Sequence, residues 1–149
     1  IMINRICQNK SIIIYGDGEQ KRSFSNVLDC IKAVEQLMIS SKDLCGQVYN
    51  IGPDDNEISI KQLAYRIGHF AEVYPALQHF PDRPNEVKNA FCSSAKIKSE
   101  FNYVAAISAD KTIQEMVNWI KPRVRDFEYH LPIELVTDQT PKTWTDKLI

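Results

Sequence analysis

Arg22 and Arg83 are the residues of this chain whose type and setting best suit ligand chemistry. Arg22 follows the run Ile12-Ile13-Ile14-Tyr15 and the turn Gly16-Asp17-Gly18. Two glycines around an aspartate let the backbone turn sharply through positive φ. The turn brings Arg22 back near the end of the preceding strand. A guanidinium on a short return loop is a planar donor fork suited to a phosphate or a carboxylate. The same spacing also describes a plain hairpin turn with a solvated arginine. Arg83 stands in Asp82-Arg83-Pro84-Asn85-Glu86, where the following proline favours an extended backbone and stiffens the loop. Arg83 and Glu86 in that loop suit a pyrophosphate and a ribose hydroxyl, or else form a surface ion pair worth under ~1 kcal/mol. A third candidate, Asn50, closes the strand-like Val48-Tyr49-Asn50-Ile51-Gly52. Its amide suits either a ligand or the backbone groups of a strand end.

Bond-making machinery is not discernible. The sequence contains no G-x-S-x-G, no G-x-G-x-x-G and no P-loop. Asp54, Asp55 and Glu57 are clustered acids in a turn and lack the pattern of a calcium loop. His69, His79 and His130 fit no metal-ligand spacing, and the four cysteines (Cys7, Cys30, Cys45, Cys92) form no C-x-x-C pair. Reduced thiols of the cytoplasm are the expectation for such cysteines.

The elements that must position these residues are legible from periodicity. Residues 1–9 carry Ile3, Ile6 and Cys7 at helical spacing, without a cap or lead-in, like the end of a helix begun elsewhere. Ser11–Tyr15 is a strand, followed by a helix over Asn26–Ile39 with Ser25 or Asn26 as cap. Val27, Ile31, Val34 and Met38 recur as one stripe, expected to be buried. Gln47–Ile51 is expected as a second strand, closed by the turn cluster Gly52-Pro53-Asp54-Asp55-Asn56. Ser59 and Gln62 form a capping-box pattern ahead of a helix burying Ile60, Leu63, Ala64 and Ile67. Ala76–Phe80 reads as a third strand, and Ser93 or Ser94 starts a short helix towards Phe101. Ser108 caps a last helix with Ile113, Met116, Val117 and Ile120 on one face, stopped by Pro122. Strands alternating with helices give an α/β architecture. Residues 1–123 form the domain. Residues 124–149 form an extended tail packed on its surface, with Phe127, Tyr129, Leu131, Trp144 and Leu148 to pack.

Composition sets the outer bounds. The 149 residues suffice for a real core, and 44% hydrophobic with 25% charged residues is ordinary for a globular domain. A net charge of −1, from 18 basic and 19 acidic residues, leaves no basic excess to grip nucleic acid. The longest apolar run is far too short to span a membrane, and no secretory leader is visible.

Taken in order, these segments resemble the extended short-chain dehydrogenase/reductase family, the NAD-dependent, UDP-galactose epimerase-like nucleotide-sugar epimerases and dehydratases. Ile14-Tyr15-Gly16-Asp17-Gly18 with Arg22, Phe24, Val27 and Asp29 is similar to the family's "IYGDG…R-x-F…V-x-D" stretch. Val48-Tyr49-Asn50-Ile51-Gly52 with Ser59, Ile60 and Leu63 is similar to "YNIG…S-I-x-x-L", and Arg83–Val87 to "R-P-G-D-V". Phe101-Asn102-Tyr103 and Trp119-Ile120 resemble its closing pattern, so the likeness covers about residues 1–121.

The resemblance implies that Ile13 and Tyr15 line the pocket of the nucleotide base. It also implies that Arg22 and Arg83 contact the diphosphate and that Glu86 reaches the ribose. Asn85-Glu86 stands where the family has Gly-Asp, which makes the loop stiffer and the acid longer. The family's glycine-rich cofactor motif and its Tyr-x-x-x-Lys pair would precede Ile1. The expected fold is therefore the small C-terminal substrate-binding domain, with the N-terminal Rossmann half absent. Such a domain would work with a Rossmann cofactor domain in cis or in trans. NAD(P) is implied for the full-length enzyme. The chain alone, a fragment or a split gene product, is expected neither to bind NAD nor to turn over substrate. The alternative is a non-catalytic nucleotide-sugar-binding or interaction module that kept the fold.

Overall fold

The computed structural model describes residues 1–54, 57–126 and 136–148. Helix α1 (Met2–Cys7) turns Ile3 and Ile6 inward, and strand β1 (Ile12–Tyr15) buries Ile12 and Ile14 on one face. The alternation of β1 thus leaves Ile13 and Tyr15 on the opposite face. The turn after β1 uses the freedom the glycines supply. Gly18 has φ +76°, and a Cβ there would stand 2.8 Å from Cγ2 of Ile14.

Strand β2 (Lys21–Ser23) follows, and then helix α2 (Val27–Met38), whose cap is Asn26, accepting from the Leu28 N–H at 2.9 Å. Strand β3 (Glu57–Ser59) runs directly into helix α3 (Ile60–Ala71). The capping box between them is complete: Ser59 Oγ accepts from Gln62 N–H at 3.1 Å, and Gln62 Oε1 from Ser59 N–H at 3.0 Å. Strand β4 (Leu77–Phe80), the two-residue β5 (Asn89–Ala90) and helix α4 (Ala95–Phe101) come next. Helix α5 (Ala109–Ile120) is capped by Ser108 and tightens into a 3₁₀ turn at Lys121–Arg123, and the short helix α6 (Lys142–Thr145) ends the described chain.

The strands form two small sheets. β1 pairs in parallel with β4, Ile12 opposite Leu77 and Tyr15 opposite Phe80. β2 lies between β3, antiparallel, and β5, parallel. The main core joins α1, β1, α3 and α5 through Ile3, Ile6, Ile14, Ile67, Ile113 and Val117. A second cluster gathers Ala33 of α2, Ile97 of α4 and Tyr103, with Leu37, Tyr49 and Ile51 against it. The mixed α/β class is as the sequence indicates. Among the described residues no helix is long and apolar enough to cross a membrane.

Three expectations are corrected. Gln47–Ile51 is not a strand. Among the described residues no neighbouring strand offers it a ladder, and α4 holds it through side chains instead. Lys96 Nζ donates to the Val48 carbonyl at 3.1 Å, and Tyr49 Oη to Glu100 Oε2 at 2.6 Å. The apolar stripe of α2 is not buried: Val27, Ile31, Val34 and Met38 are 66, 55, 47 and 81% exposed. The face turned inward carries Asp29 and Ala33, because the Asp29 carboxylate accepts the Ile107 N–H at 2.9 Å and Ala33 sits in the second core cluster. Met116 likewise faces solvent, while Ile113 and Val117 take the core side of α5. The expected turn residues Asp55 and Asn56 and the tail residues Phe127, Tyr129 and Leu131 lie outside the described residues.

Candidate functional site

Two sheets deliver the two arginines to one place. β4 ends beside β1, and the Gly16 N–H donates to the Phe80 carbonyl at 2.8 Å, so the loop carrying Arg83 leaves next to the Gly16 turn. That loop returns along β2, where the Lys21 N–H donates to the Lys88 carbonyl at 2.8 Å and Arg22 pairs with Ala90. The turn within it is made by Asn85 at φ +59°. Asparagine is among the few non-glycine residues that take this left-handed conformation readily, which is how it stands where the family has glycine.

Glu86 sits between the guanidiniums. Arg83 grips it in a fork, with Nη2 donating to Oε1 at 2.6 Å and Nε to Oε2 at 3.3 Å. Arg22 Nη2 adds a longer contact to Oε1 at 3.4 Å, while its Nη1 donates to the Lys21 carbonyl at 2.7 Å. The Glu86 side chain keeps only 15% of its exposure. Its hydrogen bonds raise the Arg83 pKa above the usual guanidinium range, so Arg83 is charged at every working pH. Arg83 also lies over the ring of Tyr15, 4.6 Å from its centroid. Burial pushes the Tyr15 phenol up, and its hydroxyl is hydrogen-bonded to that of Thr143.

Arg22, Arg83 and Glu86 line a cleft of about 470 Å³, together with Ala90, Gln139 and Trp144. Two guanidiniums against one carboxylate leave a positive excess among these three side chains. Among the described residues the lining offers guanidinium, carboxylate, amide and indole groups.

The sequence candidates thus divide. Arg22, Arg83 and Glu86 come together, and Tyr15 touches them from behind Arg83. Ile13 lies on β1 opposite Gln78 and does not line the cleft. Asn50 is also outside it, with its amide donating to the Ser93 carbonyl at 3.2 Å. The cleft also takes Gln139 and Trp144, from the tail. The signal available was an aromatic residue in a tail without periodicity. Asp54 was read only as a turn acid, yet it fixes the start of α4. Its Oδ1 accepts from Ser94 N–H at 2.7 Å, and the Lys98 ammonium with Ser94 pulls its pKa down to about 2.

The described residues hold no metal cluster, and the Gly16–Gly18 turn differs from a dinucleotide cradle. No three His, Cys, Asp or Glu side chains there stand close enough to hold a metal ion. The turn Gly16–Gly18 leads into a strand rather than a helix. The space beside Gly16 is filled by Asp82, and that beside Gly18 by Ile14 and Lys61. In a dinucleotide fold the cofactor's pyrophosphate rests on open backbone N–H groups at a helix start, and this turn runs into a strand instead.

A family model described as GDP-mannose 4,6 dehydratase matches residues 1–116. Among solved structures, the chain is similar to the UDP-glucuronic acid 4-epimerase of Bacillus cereus, with TM-score 0.76, 23% identity, and coverage of 82% of this chain and 38% of that one. It is similar to the UDP-glucose 4-epimerase of Thermotoga maritima, with TM-score 0.72, 20% identity, and coverage of 83% and 39%. The dTDP-glucose 4,6-dehydratase of Bacillus anthracis gives TM-score 0.72, 23% identity, and coverage of 81% and 37%. These identities speak for a shared fold, and the chain spans well under half the length of each of the three.

Proposed function

The chain belongs to the GDP-mannose 4,6-dehydratase family, within the extended short-chain dehydrogenases/reductases of nucleotide sugars, and from that premise we propose that it holds the nucleotide diphosphate of a UDP-, dTDP- or GDP-sugar for an NAD-dependent epimerase or dehydratase. The observation that carries this reading is the convergence of Arg22 and Arg83 on one cleft, with Glu86 fixing both. A diphosphate brings two or more negative charges and paired oxygens, which match a fork-shaped donor better than a point charge. Glu86 holds the guanidiniums in the cleft until a phosphate oxygen takes its place on their N–H groups. Gripped there, the sugar would be left for a nicotinamide to act on. That hydride chemistry belongs to the cofactor, and no step of it falls on these residues.

The cofactor would be carried by a separate Rossmann domain, in cis or in trans. Supporting this, the solved relatives are more than twice as long, and α2 presents an apolar face that is exposed among the described residues. The same face gives a sharp expectation for this chain alone. Ile31→Gln with Val34→Gln should change the melting temperature by no more than about 4 °C, because two exposed substitutions stay within about ±0.5 kcal/mol each. Self-association in sedimentation velocity should fall. A drop in melting temperature of core size would mean that the face is covered within this chain.

Thermal denaturation against UDP-, dTDP- and GDP-sugars tests the main reading, with NAD as the comparison. Ligand at a hundred times its dissociation constant stabilises by about 2.7 kcal/mol, or ~5–10 °C for a domain of this size. A shift with one nucleotide class and none with NAD is the expected result. A folded chain indifferent to every nucleotide sugar would contradict it.

A further inference from the structure

A diphosphate site accounts for the two arginines but not for another part of the lining of the same cleft. That part comes from the tail, through Gln139 and Trp144. The tail is held there at several points. Thr143 is fully buried, with its hydroxyl bonded to Tyr15, and the Leu148 N–H donates to the Thr143 carbonyl at 2.9 Å. Arg5 of α1 donates to the Leu148 carbonyl at 2.5 Å, and Asn4 brackets the backbone of Arg125. Trp144 follows the buried Thr143 and is left 44% exposed.

The aromatic residue that resemblance assigns to the base is already occupied. Arg83 covers the ring of Tyr15 at 4.6 Å, Phe80 packs against it at 6.4 Å, and Thr143 takes its hydroxyl. The indole of Trp144 is the aromatic side chain among those lining the cleft. A base is flat, has a π face whatever its identity, and stacks well on an indole. Gln139 adds an amide, donor and acceptor in one group, suited to a base edge.

We propose that Trp144 is the stacking wall for the base of the nucleotide whose diphosphate Arg22 and Arg83 hold, an assignment that rests on the nucleotide reading above. Tyr15 then acts as a positioning residue: its ring supports Arg83 and its hydroxyl seats the tail. The tail is part of the binding site, with Trp144 supplying affinity for any base and the Gln139 amide setting base preference.

The test uses the whole 149-residue chain with UDP, dTDP, GDP and inorganic pyrophosphate as probes. Trp119, the other tryptophan, is changed to phenylalanine so that fluorescence reports Trp144 alone. At least one nucleoside diphosphate should quench that signal, and pyrophosphate should leave it nearly unchanged. Trp144→Ala should weaken that nucleotide about tenfold, leave pyrophosphate within twofold, and be largely rescued by Trp144→Phe. Equal losses for nucleotide and pyrophosphate would overturn the stacking role, because the tail would then only shape the arginine site. Unchanged nucleotide affinity in Trp144→Ala would overturn it as well. If the unaltered chain binds pyrophosphate but no nucleotide, stacking is wrong while the anion site stands. If it binds neither, the diphosphate reading itself falls.

Discussion

Arg83→Ala is expected to weaken nucleoside-diphosphate binding by roughly ten- to hundredfold, since a hydrogen-bonded contact to a charged group contributes about 1.5–3 kcal/mol. The substitution removes the better-placed of the two forks and leaves Glu86 with only the 3.4 Å contact from Arg22. It also cancels the positive excess of the cleft, because one cation then faces one carboxylate. Isothermal titration with UDP, dTDP and GDP measures the loss, and circular dichroism shows whether the fold persists. Arg83→Lys should recover little, because an ammonium keeps the charge but neither the fork nor the flat face that lies on Tyr15. Full recovery by lysine would mean that the site reads charge alone.

The partner substitution separates two roles for Glu86. Both of its oxygens are engaged by arginine in the unliganded chain. If that is its whole task, Glu86→Gln removes a competitor for the guanidiniums, and pyrophosphate affinity rises. If Glu86 also reaches the ribose, as the family likeness implies, pyrophosphate gains while the nucleotide loses. The divergence of the two ligands is the informative quantity.

What the sequence revealed about this site follows from the range of each interaction. Ser59 with Gln62, Asn26 before α2, and the alternation of Ile12 and Ile14 are local patterns, and each element stands where its pattern puts it. Arg22 and Arg83 were recognisable singly, but their meeting depends on β5 running back along β2, a pairing that spacing does not encode. The orientation of α2 failed for a related reason. Its hydrophobic periodicity marks a face that needs covering, and the largest such face is normally the core. Here Asp29 turns the helix instead, through a bond to the Ile107 N–H 78 residues away. Gln47–Ile51 has strand-forming residues but no neighbouring strand among the described residues, and Lys96 of α4 takes its Val48 carbonyl. Trp144 belongs to a tail without periodicity, and only its attachment through Thr143 and Leu148 makes it part of a site.

Ile14→Ala should cost about 2–5 kcal/mol, the largest stability loss expected from a single site described above. Ile14 has no exposed surface and joins α1, α3 and α5 through the main core. Its Cγ2 also fills the space beside Gly18, so truncation opens a void under the turn as well as within the core. Removing those atoms loses their transfer free energy and leaves a cavity that the paired β1 and β4 can close only in part. At 2–4 °C per kcal/mol, the melting temperature should fall by ~5–20 °C, and Ile14→Val should cost only about 0.5–1.5 kcal/mol. Well below the transition, pyrophosphate affinity should stay within about twofold, because Tyr15, which supports Arg83, points away from the core that Ile14 fills. Stability and binding are thereby assigned to neighbouring residues on opposite faces of one strand. A melting point within 2 °C of the unaltered chain would place β1 outside the core. A binding loss as large as that of Arg83→Ala in folded protein would mean that the two faces are not independent.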